Sequence, residues 1–69
     1  MIEIVFQVDE DPDGGYTARA VGESIFTEAD TLEGLRSAVR DAVNCHFENP
    51  ADRPRIIRLH LTRDEVIAL

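Results

Sequence analysis

The fold is decided by residues 2–21, whose sequence is IEIVFQVDEDPDGGYTARAV. Every second residue is apolar from 2 to 8, as in a strand that buries one face. The alternation resumes over residues 16–21. Between the two runs, residues 9–15 read Asp-Glu-Asp-Pro-Asp-Gly-Gly, the densest turn signal in the sequence. The stretch therefore predicts a β-hairpin.

The sequence after the hairpin predicts a third strand, a helix and a fourth strand. The third strand is short and covers residues 24–28. Asp30 begins the helix as its N-cap, since Glu33 follows three residues later in a pattern close to a capping box. An apolar stripe recurs at helical spacing up to Pro50, which cannot continue a helix. The stripe consists of Leu32, Leu35, Val39, Ala42, Val43 and Phe47. Residues 55–62 alternate again and form the fourth strand.

The order β-β-β-α-β predicts an α+β fold. We expect a two-layer sandwich, in which an antiparallel meander of three strands carries one helix on one sheet face. The fourth strand returns from the helix and joins beside the first. Residues 1–69 form one domain, because a chain of this length cannot build two hydrophobic cores. The tail, residues 62–69, suits either a last turn of helix or a short edge strand.

The charge of the chain is negative and unevenly distributed. Fourteen acids face seven arginines, for a net charge of -7, and this predicts no DNA binding by the chain itself. Residues 1–35 hold nine of the acids and one arginine. We expect the hairpin acids to form a face that steers a small basic protein, although an ordinary solvated surface has the same composition. The acids are Asp9, Glu10, Asp11 and Asp13.

The helix leaves one sheet face uncovered, and a domain of this size gains stability by burying such a face in a homodimer or larger homo-oligomer. The candidate interface residues are Val5, Ile56, Arg58 and His60, with Val66 and Ile67 extending the contact. No apolar run is long enough to span a membrane, and the N-terminus has no secretory signal pattern. The single cysteine fits a reducing compartment, so we expect a cytoplasmic protein.

The acidic loop resembles part of a calcium-binding loop. Asp9, Asp11, Asp13 and Gly14 have the spacing of an EF-hand, but Ala20 stands where the bidentate glutamate belongs. Because the flanking segments are strands, we expect a hairpin turn and no metal site.

Catalytic chemistry has few candidate residues. Cys45, His46 and His60 lack a second Cys-His pair that would complete a zinc site. Only Glu3 and Glu28 place carboxylates on strands, where a two-metal nuclease needs them. We therefore expect no enzyme and no cofactor. The alternatives are a small metal-dependent nuclease that uses the acidic loop, and a nucleic-acid-binding domain that uses the Arg-bearing fourth strand.

Three segments resemble the HicB-like antitoxin family. Residues 11–18 resemble its "DEDGGYxA" hairpin, and residues 28–35 resemble its "GDTLEEAL" segment between strand and helix. Residues 39–43 follow its "ikeAi" helix pattern. The segments occur in the family's order, and the resemblance covers residues 2–61.

The resemblance implies a domain related to half of a ribonuclease H-like fold that forms dimers or tetramers. It also implies a role in a toxin-antitoxin system, in which the antitoxin neutralises HicA, a small basic toxin that cleaves mRNA. Two departures stand against the full role. We expect no C-terminal DNA-binding module, since the chain ends about seven residues after the fourth strand, and residues 21–26 replace the family's usual Pro-Gly-Cys segment. The sequence therefore fits a solitary HicB-like protein.

Overall fold

The computed structural model describes residues 1–69 and contains a four-stranded sheet and one α-helix. The elements in chain order are β1 (Glu3–Glu10), β2 (Tyr16–Ala20), β3 (Phe26–Ala29), α1 (Leu32–His46) and β4 (Ile56–Thr62), with a 3-10 turn at Pro50–Asp52 before β4. The predicted α+β class and element order are confirmed. The strand order in the sheet is β3-β2-β1-β4. The first three strands are antiparallel neighbours, as expected, and β4 lies parallel to β1, so the sheet is mixed.

The hairpin loop is a hydrogen-bonded turn, as the sequence predicts. The Asp11 carboxylate accepts a hydrogen bond from the Asp13 amide at 2.9 Å, and the Asp11 amide donates to the Gly15 carbonyl at 2.9 Å. Gly14 and Gly15 have φ values of 100° and 93°, a region that side-chain-bearing residues rarely adopt. The Asp and Gly residues of this loop are therefore explained by turn geometry.

The core lies between α1 and one face of the sheet. Nine residues are buried and all are apolar, and the largest that are fully buried are Phe6, Leu35, Val8 and Val39. The helix contributes Leu35, Val39 and Val43, while the other stripe residues are partly buried. At 15 residues, this helix is too short and too polar to cross a membrane.

The helix begins one residue later than predicted. Thr31, not Asp30, is the N-cap, since its hydroxyl accepts a hydrogen bond from the Gly34 amide at 3.0 Å. The same contact explains a glycine inside the helix. A Cβ on Gly34 would lie 3.1 Å from the Thr31 hydroxyl and 3.5 Å from the Ala29 methyl group.

We expect Thr31→Ala to lower the free energy of unfolding by about 1 kcal/mol, because the Gly34 amide loses its partner. Asp30→Ala is the control and should cost about 0.3 kcal/mol through the helix dipole. Urea denaturation followed by circular dichroism measures both. If Asp30→Ala lowered the free energy of unfolding more than Thr31→Ala does, Asp30 would be the N-cap.

The helix also ends earlier than predicted, at His46, three residues before Asn49. Phe47 is the C-cap, with non-helical backbone angles, although its side chain keeps the helical spacing of the stripe. Arg53 stabilises this end, since its Nε donates to the Phe47 carbonyl at 2.8 Å. The helix therefore ends before the chain reaches Pro50, and the Arg53 side chain satisfies carbonyl groups at its end.

Other boundaries differ by one or two residues. β1 continues to Glu10, because Glu10 pairs with Tyr16 across the hairpin. β3 is shifted to Phe26–Ala29, and Ile25 before it is buried in the core. Residues 63–69, called the tail from here on, form neither the predicted turn of helix nor an edge strand within the chain.

Candidate functional site

The sheet face opposite the helix carries four of the predicted interface residues. Val5 lies directly opposite Arg58, and Glu3 lies opposite Ile56. His60 is exposed opposite Gln7. Arg58 donates a hydrogen bond to the Glu3 carboxylate, so this pair separates the two apolar side chains. The outer face therefore presents isolated apolar residues among polar ones rather than a continuous apolar patch.

The acidic hairpin projects at one end of the sheet. Its predicted residues Asp9, Glu10, Asp11 and Asp13 are all exposed. Glu10 alone has a cationic neighbour, with 3.8 Å between its Oε2 and Nε of Arg63. The hairpin therefore presents negative charge that the protein itself neutralises at only one position.

Three of the six arginines of residues 36–69 are engaged in contacts within the chain. Arg53 caps the helix through two backbone carbonyls. Arg58 pairs with Glu3, and Arg63 lies between Glu10 and Glu65, 3.9 Å from the latter. These pairings leave fewer cations available for a phosphate backbone than the sequence alone indicates.

A groove of about 410 Å³ opens between α1 and β4. It exists because α1 contacts β2 and β3 and leaves the helix-facing side of β4 partly uncovered. The lining is apolar apart from two exposed arginines, neither of which makes an ion pair. The lining residues are Leu32, Arg36, Val39, Arg40, Ile57, Leu59 and Leu61. The sequence pattern identified several of them as core but did not reveal the groove.

The tail is the most exposed apolar segment of the chain. Val66 is 95% exposed and Ile67 is 78% exposed. Arg63 contacts the hairpin at Glu10, so the tail leaves the sheet beside the acidic loop. Val66 and Ile67, which were predicted to extend the outer-face contact, lie in this tail.

The residues considered for catalysis and metal binding lie apart. Cys45 is exposed on α1, whereas His60 is on the opposite side of the sheet. His46 lies 3.3 Å from the Glu23 carboxylate and forms an ion pair when its imidazole is protonated. No three His, Cys, Asp or Glu side chains converge in a geometry that could hold a metal ion.

The fold and these surfaces define a small α+β protein whose candidate sites are a charged hairpin, an open groove and an apolar tail. The chain belongs to the UPF0150 family. It is 55% identical over 53 residues to a UPF0150 protein of Archaeoglobus fulgidus, covering 77% of each chain. It is 42% identical over 67 residues to a UPF0150 protein of Thermotoga maritima, covering 97% of this chain and 93% of the relative. No family model matches the chain. No solved structure matches it either.

Proposed function

We propose that this chain is a non-enzymatic, cytoplasmic protein-binding module of HicB-like fold that self-associates and holds a small basic partner on its acidic hairpin. The observation that carries the proposal is the exposed surface, which measures 5347 Å². A compact monomer of this mass exposes about 4,300 Å². Nine large apolar side chains are exposed, and those of the groove and the tail offer a partner apolar surface to bury.

The exposed large apolar side chains lie in three places besides the N-terminus. The first is the outer sheet face, the second is the groove beside β4, and the third is the tail. They are Val21, Phe26, Ile56, Leu61, Val66, Ile67 and Leu69, together with Met1 and Ile2 at the N-terminus. Burying them in a second copy or a partner supplies stability that a core of nine residues provides only in part.

The acidic hairpin supports a basic partner. Three of its four acids have no cation beside them, and complementary charge raises the association rate and the selectivity of a contact. The resemblance of the hairpin and helix segments to HicB-like antitoxins points to the same class of partner, a small basic toxin-like protein. In this proposal the module neutralises that partner by covering it.

We expect the triple variant Asp9→Asn, Asp11→Asn, Asp13→Asn to associate about 10-fold more slowly with a small basic HicA-type toxin at low salt. Asparagine keeps the size of each side chain and can still accept the turn hydrogen bond of position 11, so the hairpin stays folded. Stopped-flow fluorescence measures the rate at low and high salt, and added salt should shrink the difference.

The matched control removes the same charge from another part of the surface. It combines Asp41→Asn, Glu48→Gln and Asp52→Asn, three exposed acids that lie outside the hairpin and make no ion pair. We expect this control to associate at nearly the wild-type rate. Equal slowing in both triple variants would show a general charge effect and refute a hairpin site, and no binding by wild type would refute the basic partner.

A further inference from the structure

We propose that the tail of one copy adds as a strand to the free edge of β4 in a second copy, and that the exchange is reciprocal. The inference rests on the self-association proposed above and names the residues that form the contact. It starts from two unpartnered apolar features, the groove beside β4 and the tail that continues β4.

The edge of β4 is available for pairing. In the sheet order β3-β2-β1-β4 this strand has a neighbour on one side only. It is seven residues long and contains no proline or glycine, whereas β3 at the other edge has four residues. A long edge strand without such interruptions is a template for pairing with another chain.

The alternation of side chains along a strand determines on which side of the sheet each tail residue lies. Ile57 and Leu59 of β4 line the groove on the helix side. Since the period of a strand is two, a straight continuation places Ile67 and Leu69 on that same side. The longest dimension of the molecule is 53 Å, and β4 with the tail spans about 46 Å if fully extended. A tail that continues the direction of β4 accounts for this length.

A twofold axis perpendicular to the sheet brings the tail against the groove. Such an axis makes the paired strands antiparallel and keeps both helices on one side of the joined sheet. With Asp64 on the axis, Leu61 lies opposite the partner's Ile67 and Leu59 lies opposite the partner's Leu69. The exposed apolar side chains of the tail then extend the uncovered apolar surface of β4 on the helix side.

Charge selects this register among its neighbours. With Asp64 on the axis, Arg63 lies opposite the partner's Glu65, and the symmetry makes this ion pair twice. Asp64 then lies opposite the partner's Asp64, but an axis through Arg63 or Glu65 also opposes one pair of like charges and forms neither of the two ion pairs. Axes through Arg63 and Glu65 are the nearest alternatives to the axis through Asp64 that keep the Ile67 side chain on the helix side of the joined sheet.

The tail does not fold back into the groove of the same chain. Arg63 is held near Glu10 at the hairpin end of the sheet, so the tail leads away from the groove beside residues 57–61. A reversal at this point would leave only a few residues to return along β4. The second copy supplies the tail without any reversal.

Sedimentation equilibrium over a range of concentrations tests the exchange. We expect the double variant Ile67→Ser, Leu69→Ser to raise the dimer dissociation constant at least about 10-fold, since both side chains lose their partners. The control is Val66→Ser with Ala68→Ser on the other face of the same tail, and it should change the constant by less than about threefold. All four positions are exposed in the monomer, so the variants leave its core intact.

Charge reversal tests the register. Arg63→Glu should weaken the dimer about threefold or more by opposing two glutamates, and adding Glu65→Arg should restore it. An equal loss in both serine pairs, or no restoration, would overturn the assigned register. A dimer that resists every tail variant would overturn the exchange and leave self-association through another surface. A chain that stays monomeric at about 1 mM would overturn both, while hairpin binding is measured independently.

Discussion

Phe6→Ala is expected to leave most of the protein unfolded at room temperature. Phe6 is fully buried in β1, where it lies opposite Ala20 on one side and Leu59 on the other. Removing its ring costs about 3–5 kcal/mol through lost burial and the cavity left behind. A domain of this length has about 3–5 kcal/mol of net stability in total. The loss therefore consumes most of the stability of the fold.

The measurement is urea denaturation at low micromolar concentration, with the dispersion of amide resonances as a second readout. Val5→Ala is the matched control, since Val5 is the adjacent residue of the same strand and is half-buried on the other face. It should cost about 1 kcal/mol. If Phe6→Ala still unfolded cooperatively, with a free energy of unfolding within about 1 kcal/mol of the wild-type value, the core would not be centred on this side chain.

Leu35→Ala is expected to lower the melting temperature by at least about 10 °C, while Leu32→Ala lowers it by about 5 °C. Leu35 is fully buried between α1 and the sheet. Leu32 is half-buried, one turn earlier on the same stripe, and it lines the groove. The difference follows from the position of α1 over β2 and β3, which leaves the β4 side of the helix open.

Differential scanning calorimetry measures both variants at equal protein concentration. The pair compares the same substitution at two positions of one helix, so the helix propensity of alanine cancels. Equal decreases in melting temperature would mean that Leu32 is as well packed as Leu35 and that the groove is closed in solution.

The strands were predictable because alternation reports burial directly. Ile4, Phe6 and Val8 are apolar at every second position, and all three are buried. The helix start was harder, because Asp30 and Thr31 can both accept a hydrogen bond from a backbone amide. Only the backbone conformation decides between them, and it places Thr31 at the cap.

The candidate surfaces were predictable only where they depend on local sequence. The acidic hairpin was identified because its charges are consecutive or nearly so, as with Asp9, Glu10 and Asp11. The groove depends on where α1 lies across the sheet, and periodicity gives the buried face of a helix but not its lateral position. Arg53 illustrates the same limit, since its contact with the Phe47 carbonyl depends on the path of residues 48–52 between them.

The parallel pairing of β1 with β4 joins the two ends of the chain. Glu3 and Arg58 meet across it although 55 residues separate them. Contacts of such long range form late, because the loop between them must close first. During synthesis β1 therefore keeps an open strand edge until β4 has been made, a state prone to aggregation. The nine acids of residues 1–35 repel the same acids on other incomplete chains. This repulsion opposes pairing between the open β1 edges of two such chains.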